Sequence, residues 1–175
     1  MDTQLRNVVV AVDGSNESMN ALRWALDNVS VRSPLNGGSF VVLHVQSPPS
    51  IAVGFNPGSI PFGGANVEVP AFKAAIEDHQ RRITDAILQE ALKICAENNV
   101  IVKTRVVIGN PKRKICEVVD ELHADLLVMG SRSFGRFKRM LSGSVSKYCS
   151  HQASCPVIIV KAESGQTLPA YYGGL

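Results

Sequence analysis

The stretch from Met129 to Ser146, MGSRSFGRFKRMLSGSVS, follows the apolar run Leu126-Leu127-Val128-Met129 and precedes a helically spaced segment, Val145 to Gln152. Glycines, small polar residues and a basic cluster therefore lie between a strand and a helix. That arrangement suits a phosphate. Glycine lets backbone approach an anion closely, and the first N–H groups of a helix lack partners inside it and favour negative charge. Ser131, Ser144 and Ser146 add hydroxyl donors. An ordinary strand-to-helix loop would use the same glycines for turns alone, so the rest of the chain must decide.

Working outward toward the N-terminus, the strand-then-helix pattern repeats. Asn7 to Val12 is a near-continuous β-branched run, the mark of a strand buried on both faces of a parallel sheet. Asp13-Gly14-Ser15-Asn16 follows as a helix cap, and Met19, Leu22, Leu26 and Val29 recur at helical spacing. Phe40 to Val45 reads as a second strand. Ser47 to Pro70 is rich in proline and glycine, nearly uncharged, and carries Ile51, Val53, Phe55, Ile60 and Phe62. A loop of that length inside a compact domain is usually functional or mobile. Phe72 to Glu97 is the longest helical pattern, with Phe72, Ile76, His79, Ile83, Ile87, Ala91 and Ile94 on one stripe.

Val100 to Ile108 alternates with period two, which predicts a strand near the sheet edge with one wet face. Asn110-Pro111 suits the cap and first position of a helix whose stripe is Ile115, Val118, Val119 and Leu122. Beyond the opening stretch, Val145, Tyr148 and Cys149 are expected on one side of the last helix, and Pro156 to Val160 as a fifth strand. Residues 1–162 are expected to form one domain with an insertion at 47–70, and 163–175 a loose tail.

Alternating strands and helices predict an α/β fold with a mostly parallel sheet covered on both faces. Ligands of such sheets bind beyond the carboxyl ends of the strands, where strand order reverses. Asp13-Gly14-Ser15 ends the first strand and Gly130-Ser131 the fourth, so neighbouring strands would place both at one crevice. Asp13 there serves either a ribose hydroxyl or adenine amino group, or acts as a helix cap or turn residue.

Composition narrows the class. Of 175 residues, 45% are hydrophobic and 19% charged, which fits a globular chain rather than a disordered one. The net charge of +3 is too small to demand nucleic acid. Its clustering matters more: Arg132, Arg136, Lys138 and Arg139 lie in the opening stretch, and Lys112-Arg113-Lys114 form a second group. No apolar run approaches the ~20 residues of a membrane helix. MDTQLRNVVVAV has no leader pattern, so the cytosol, with access to the nucleus, is the expected compartment. The four cysteines make no CxxC pair or zinc spacing and are expected reduced. Cys95 and Cys116 fall in amphipathic patterns and read as packing; Cys149 and Cys155 flank the last turn and read as the better redox candidates.

Gly130-x-x-Ser133, nine residues, then Gly143-Ser144 closely resembles the nucleotide motif G-x-x-G-x9-G-[S/T] of the universal stress protein family. The resemblance runs from Asn7 to Lys161 and includes VAVDGS, LHV, GNPKRKICEVVDELHADLLVMGSR and CPVIIVK, with the plant-type members most similar. It implies a doubly wound, Rossmann-like sheet of order 3-2-1-4-5, of the adenine nucleotide alpha hydrolase-like kind. It implies a homodimer through the last strand, 156–161. It implies ATP or AMP as ligand, with Mg2+ or Mn2+ carried on the phosphates and no metal site of the protein's own. By position, Ala11, Val12, Asp13 and Val45 would hold the adenine region. Met129, Gly130, Ser131, Arg132, Ser133, Gly143, Ser144, Val145 and Ser146 would hold ribose and phosphates. Ser133 replaces the second motif glycine; if that position needs positive φ, the serine costs roughly 1 kcal/mol.

There is no G-x-x-x-x-G-K-[ST] and no pair of carboxylates placed for a catalytic metal. The expected function is therefore a nucleotide-binding sensor or regulator in the stress response, at most a slow ATPase. A redox- or heat-dependent chaperone or scaffold is the alternative, motivated by the apolar insertion and the cysteines. Nucleic-acid binding ranks last, because Phe134 and Phe137 are the only aromatics in the basic patch.

Overall fold

The computed structural model describes residues 4–48, 69–131 and 143–161. Most of the insertion, the basic stretch containing Arg132, Ser133, Gly135, Phe134 and Phe137, and the tail lie outside the described residues.

Strands and helices alternate: β1 (Asn7–Val12), α1 (Asn16–Asn28), a 3-10 turn at Pro34–Asn36, β2 (Ser39–Gln46), α2 (Val69–Glu97), β3 (Val102–Ile108), α3 (Pro111–Glu121), β4 (Leu126–Gly130), α4 (Ser144–Gln152) and β5 (Val157–Val160). The five strands form one parallel sheet in the order β3-β2-β1-β4-β5. This is the doubly wound sheet expected from the sequence. Strand order reverses between β1 and β4, where Ala11 is in register with Met129.

Alternation along the central strands sends side chains to two cores. Val8, Val10 and Val12 of β1 pack with Met19 and Leu22 of α1 and with Ala91 and Ile94 of α2. On the opposite face Val9, Leu43 and Leu127 pack with Ile115, Val118 and Val119 of α3 and Cys149 of α4. The continuous apolar runs of β1 and β4 follow from this burial on both faces.

Three local expectations need correction. The edge strand β3 begins at Val102 rather than Val100, and Lys103, Thr104, Arg105 and Val106 are all exposed, so it is not wet on one face only. The second helix begins at Val69 rather than Phe72, taking in Pro70 in its first turn, where a missing N–H costs nothing. It spans about 43 Å, against about 26 Å for the eight-residue β2. Among the described residues its buried hydrophobic core positions are Ala91, Ile94 and Cys95 in its C-terminal half, while His79 is exposed rather than interfacial. On α4, Cys149 and Ser146 are buried while Tyr148 lies at the exposed margin of the side it shares with Val145 and Cys149.

At the amino ends of the strands, Asp125 ties β1 to β4. Its Oδ2 accepts from Asn7 N at 3.0 Å and Arg6 N at 2.6 Å. These backbone bonds, Asn7 foremost, hold the carboxyl below its usual range. A depressed pKa stabilises the fold above the unfolded value of ~3.9, and the contribution fades as pH falls through the folded value. Asp125→Asn is therefore expected to flatten the stability–pH slope below about pH 4, measured by urea denaturation across that range. An unchanged slope would show that the two bonds contribute nothing to acid sensitivity.

Candidate functional site

At the carboxyl ends of β1, β2 and β4 a cavity of about 410 Å³ opens at the reversal of strand order. It forms there because β1 and β4 are neighbours whose following segments leave toward opposite faces, which parts the loops. Ala11, Val12 and Asp13 supply one wall from β1, Val45 comes from β2, and Met129 and Gly130 from β4. Gly143, Ser144, Val145 and Ser146 bring the first turn of α4 to the opposite wall. Ser131 is not part of the lining; its N–H donates to the Val160 carbonyl at 2.9 Å and so continues the β4–β5 ladder. Arg132 and Ser133 fall outside the described residues.

Three helices begin around this cavity, and their caps differ. The Ser15 hydroxyl accepts from Ser18 N at 3.2 Å to cap α1. Asn110 Oδ1 accepts from Lys112 N at 3.0 Å to cap α3. Gly143 caps α4 with no side-chain hydrogen bond. Gly143 to Ser146, the first turn of α4, line the cavity, with the hydroxyl-bearing Ser144 among them. Gly143 has φ −56°, an ordinary value, so chain conformation alone does not demand a glycine there.

Asp13 serves its own turn. Its Oδ1 accepts from Ser15 N at 3.0 Å and from Ser15 Oγ at 2.5 Å, while Asp13 N donates to Ser18 Oγ at 3.2 Å. Gly14 follows with φ +82°, where an added Cβ would also meet Ile87 at 2.9 Å. The turn-residue alternative for Asp13 is thus present in the structure, with Ser15 as the cap, and Asp13 also lines the cavity. Gly130 likewise has an internal reason to be glycine. A Cβ there would lie 2.5 Å from the Glu17 carbonyl oxygen and 2.8 Å from Ser18 N, so the strand end could not touch the first turn of α1.

Sequence reading missed one wall. Gln80, Ile83, Thr84 and Ile87 of α2 face His44 and Gln46 of β2 across the cavity. Thr84 Oγ1 donates to Gln46 Oε1 at 3.0 Å, and Gln46 Nε2 donates to Gln80 Oε1 at 3.2 Å. His44 is buried with Nδ1 donating to the Val12 carbonyl at 2.9 Å, the tautomer fixed by the acceptor. One signal was available: Thr84 is a polar residue at a core-facing position of an amphipathic helix, and it is buried.

Cys149 is placed differently from expectation. Cys149 is fully buried, and burial pushes its thiol up to about 12. It is therefore not an exposed redox residue at the last turn. Cys95 is buried in the core as expected, with its thiol pushed up to about 11. Burial raises Cys116 and Cys155 as well.

The molecule is an open α/β protein of doubly wound type, with a cavity at the strand-order switch and a helix start opening into it. It belongs to the universal stress protein family, whose sequence model matches residues 4–161. It is 31% identical to the universal stress protein PHOS34 of Arabidopsis thaliana over 97% of this chain and 67% of that protein. It is 33% identical to PHOS32 of the same plant over 89% of this chain and 64% of that protein. The chain thus spans about two thirds of the length of these two relatives. Among solved structures, a universal stress protein family protein from Arabidopsis thaliana with AMP bound matches with a TM-score of 0.58 at 22% identity, covering 94% of this chain and 97% of that one. The sheet order and these neighbours share the adenine nucleotide alpha hydrolase-like fold. No helix among the described residues is long and apolar enough to cross a membrane.

Proposed function

We propose that this chain binds an adenine nucleotide, ATP or AMP, in the cavity at the β1/β4 switch and acts as a sensor or regulator in the stress response. The observation that carries this reading is the start of α4. The cap residue Gly143 has no side chain with which to bond the helix start, and Gly143 to Ser146 line the cavity together with the ends of β1 and β4. Backbone N–H groups and a helix dipole there suit phosphate oxygens. Ala11, Val12, Asp13 and Val45 hold the adenine region in this reading. Met129, Gly130, Arg132, Ser133 and the α4 turn hold ribose and phosphates, while Ser131, outside the lining, ties this segment to β5. The AMP carried by the Arabidopsis neighbour supports the ligand class.

Asp13 is the only carboxylate among the described lining residues, and its Oδ1 already accepts two hydrogen bonds from Ser15. The donor set therefore does not amount to a metal site of the protein's own. A divalent cation would arrive on the phosphates, and turnover would be slow at most. The reading extends to one domain over 1–162 followed by a tail, a homodimer joined along 156–161, and a cytosolic setting.

The test is calorimetric titration of ATP with Mg2+, and of AMP, into nucleotide-stripped protein. Saturable binding is expected, lost in Gly143→Val and tightened in Ser133→Gly if the motif position favours positive φ. Tighter binding by the unaltered protein than by Ser133→Gly would refute the strain argument. No heat at ~1 mM nucleotide, weaker than about −4 kcal/mol, would overturn the nucleotide reading. It would leave the chaperone or scaffold reading with the exposed apolar residues, such as Ile101 and Ile108, as its support.

A further inference from the structure

Cys116 on α3 and Cys149 on α4 meet across two packed helices, a contact no sequence spacing announces. Their sulfurs are 3.9 Å apart, with the Cys116 thiol donating to Cys149 Sγ. Cys149 in turn lies 3.9 Å from the Lys112 carbonyl oxygen. A single thiol in an apolar cluster is usually inert packing, but two in contact can do more. A disulfide needs a sulfur separation of about 2.05 Å, and side-chain rotations on the two helices are on the scale of the remaining gap. Access is graded. Cys149 is fully buried, whereas Cys116 is only half-buried and can meet a small molecule.

We propose that Cys116 and Cys149 are a dithiol modification site, which a small-molecule disulfide converts to an intramolecular disulfide clamping α3 to α4. Cys116 gives up its proton and attacks one sulfur of the small disulfide. That S–S bond breaks and one small thiol leaves, taking up the proton. Cys149 then loses its proton and attacks the Cys116 sulfur, and the second small thiol leaves protonated. Two protein thiols are oxidised, and one small disulfide is reduced to two thiols.

Burial raises both cysteines, so the exchange belongs at the slow end of the seconds-to-hours range of such reactions. The product would join two walls of the cavity. Ile115, next to Cys116, lines it from α3, and Ser144 to Ser146 line it one turn before Cys149. The site does not depend on the nucleotide reading. It also differs from a redox assembly, because the link lies within one chain.

The experiment treats the full chain with glutathione disulfide for hours under native conditions and maps the products by peptide mass under non-reducing conditions. The expected product is a monomer two hydrogens lighter than the reduced protein, with the Cys116 peptide joined to the Cys149 peptide. Cys149→Ser should stop at a mixed disulfide on Cys116. Cys116→Ser should leave Cys149 unmodified, and Cys95→Ser and Cys155→Ser should retain the link. A lasting mixed disulfide on Cys116 of the unaltered protein would overturn the proposal. So would a link to Cys95 or Cys155 or between chains, or an unmodified Cys116.

Discussion

Gly130→Ala is expected to lower stability by about 1–3 kcal/mol, the usual cost of forcing a methyl group into filled space, and to weaken nucleotide binding about 10- to 100-fold. The methyl would lie 2.5 Å from the Glu17 carbonyl oxygen, 2.6 Å from its carbon and 2.8 Å from Ser18 N. All three are backbone atoms of α1, which cannot rotate aside as a side chain can. Either β4 or the first turn of α1 must move, and both line the proposed site. A shift there loses one or more hydrogen bonds to a charged phosphate, worth about 1.5–3 kcal/mol each. Gly38→Ala is the matched control. Its methyl would sit 1.9 Å from the Arg32 carbonyl oxygen, immediately before Ser39 begins β2. Denaturation should show a loss at least as large, while the folded fraction keeps its nucleotide affinity, because the amino end of β2 is remote from the cavity. Equal loss of affinity in both variants would mean that binding merely follows global stability.

Leu127→Ala is expected to cost about 2–5 kcal/mol, a large share of the stability of a domain this size. Leu127 is fully buried in the central strand β4 and packs in the cluster with Val9, Leu43, Val119 and Cys149. Rigid strands on either side limit collapse around the vacated space, so the cavity term adds to the lost transfer energy. Urea denaturation should show a lower midpoint with an unchanged slope. A loss below ~1 kcal/mol would mean that α3 and α4 settle into the space, and that this face of the sheet is softer than its packing indicates.

The central strands were legible because their chemistry is local. VVVAV and LLVM are continuous apolar runs, and only a strand covered on both faces needs one. Caps were legible for the same reason: Ser15 and Asn110 each bond an N–H two or three residues along the chain. Ends and edges were not. Residues 100–108 alternate as a half-buried strand would, yet within β3 only Val102 and Val107 are partly covered, because cover at a sheet edge depends on how far the helices reach. His79 fits the α2 stripe in period but lies where that helix runs past its core contacts.

Sequence alone determined the alternating α/β pattern, the two strand ends at Asp13 and Gly130, and the family motif with Ser133 in place of a glycine. Periodicity, capping and turn chemistry act within a few residues, so they are written in the order of the chain. Only the tertiary structure decided the rest. It set Gln80 and Thr84 against Gln46, pressed Gly130 onto the backbone of Glu17, and brought the Cys116 and Cys149 sulfurs within 3.9 Å across 33 positions of chain. Those contacts arise where helices from distant segments settle on a common sheet. Their partners are fixed by packing and strand order rather than by spacing along the chain.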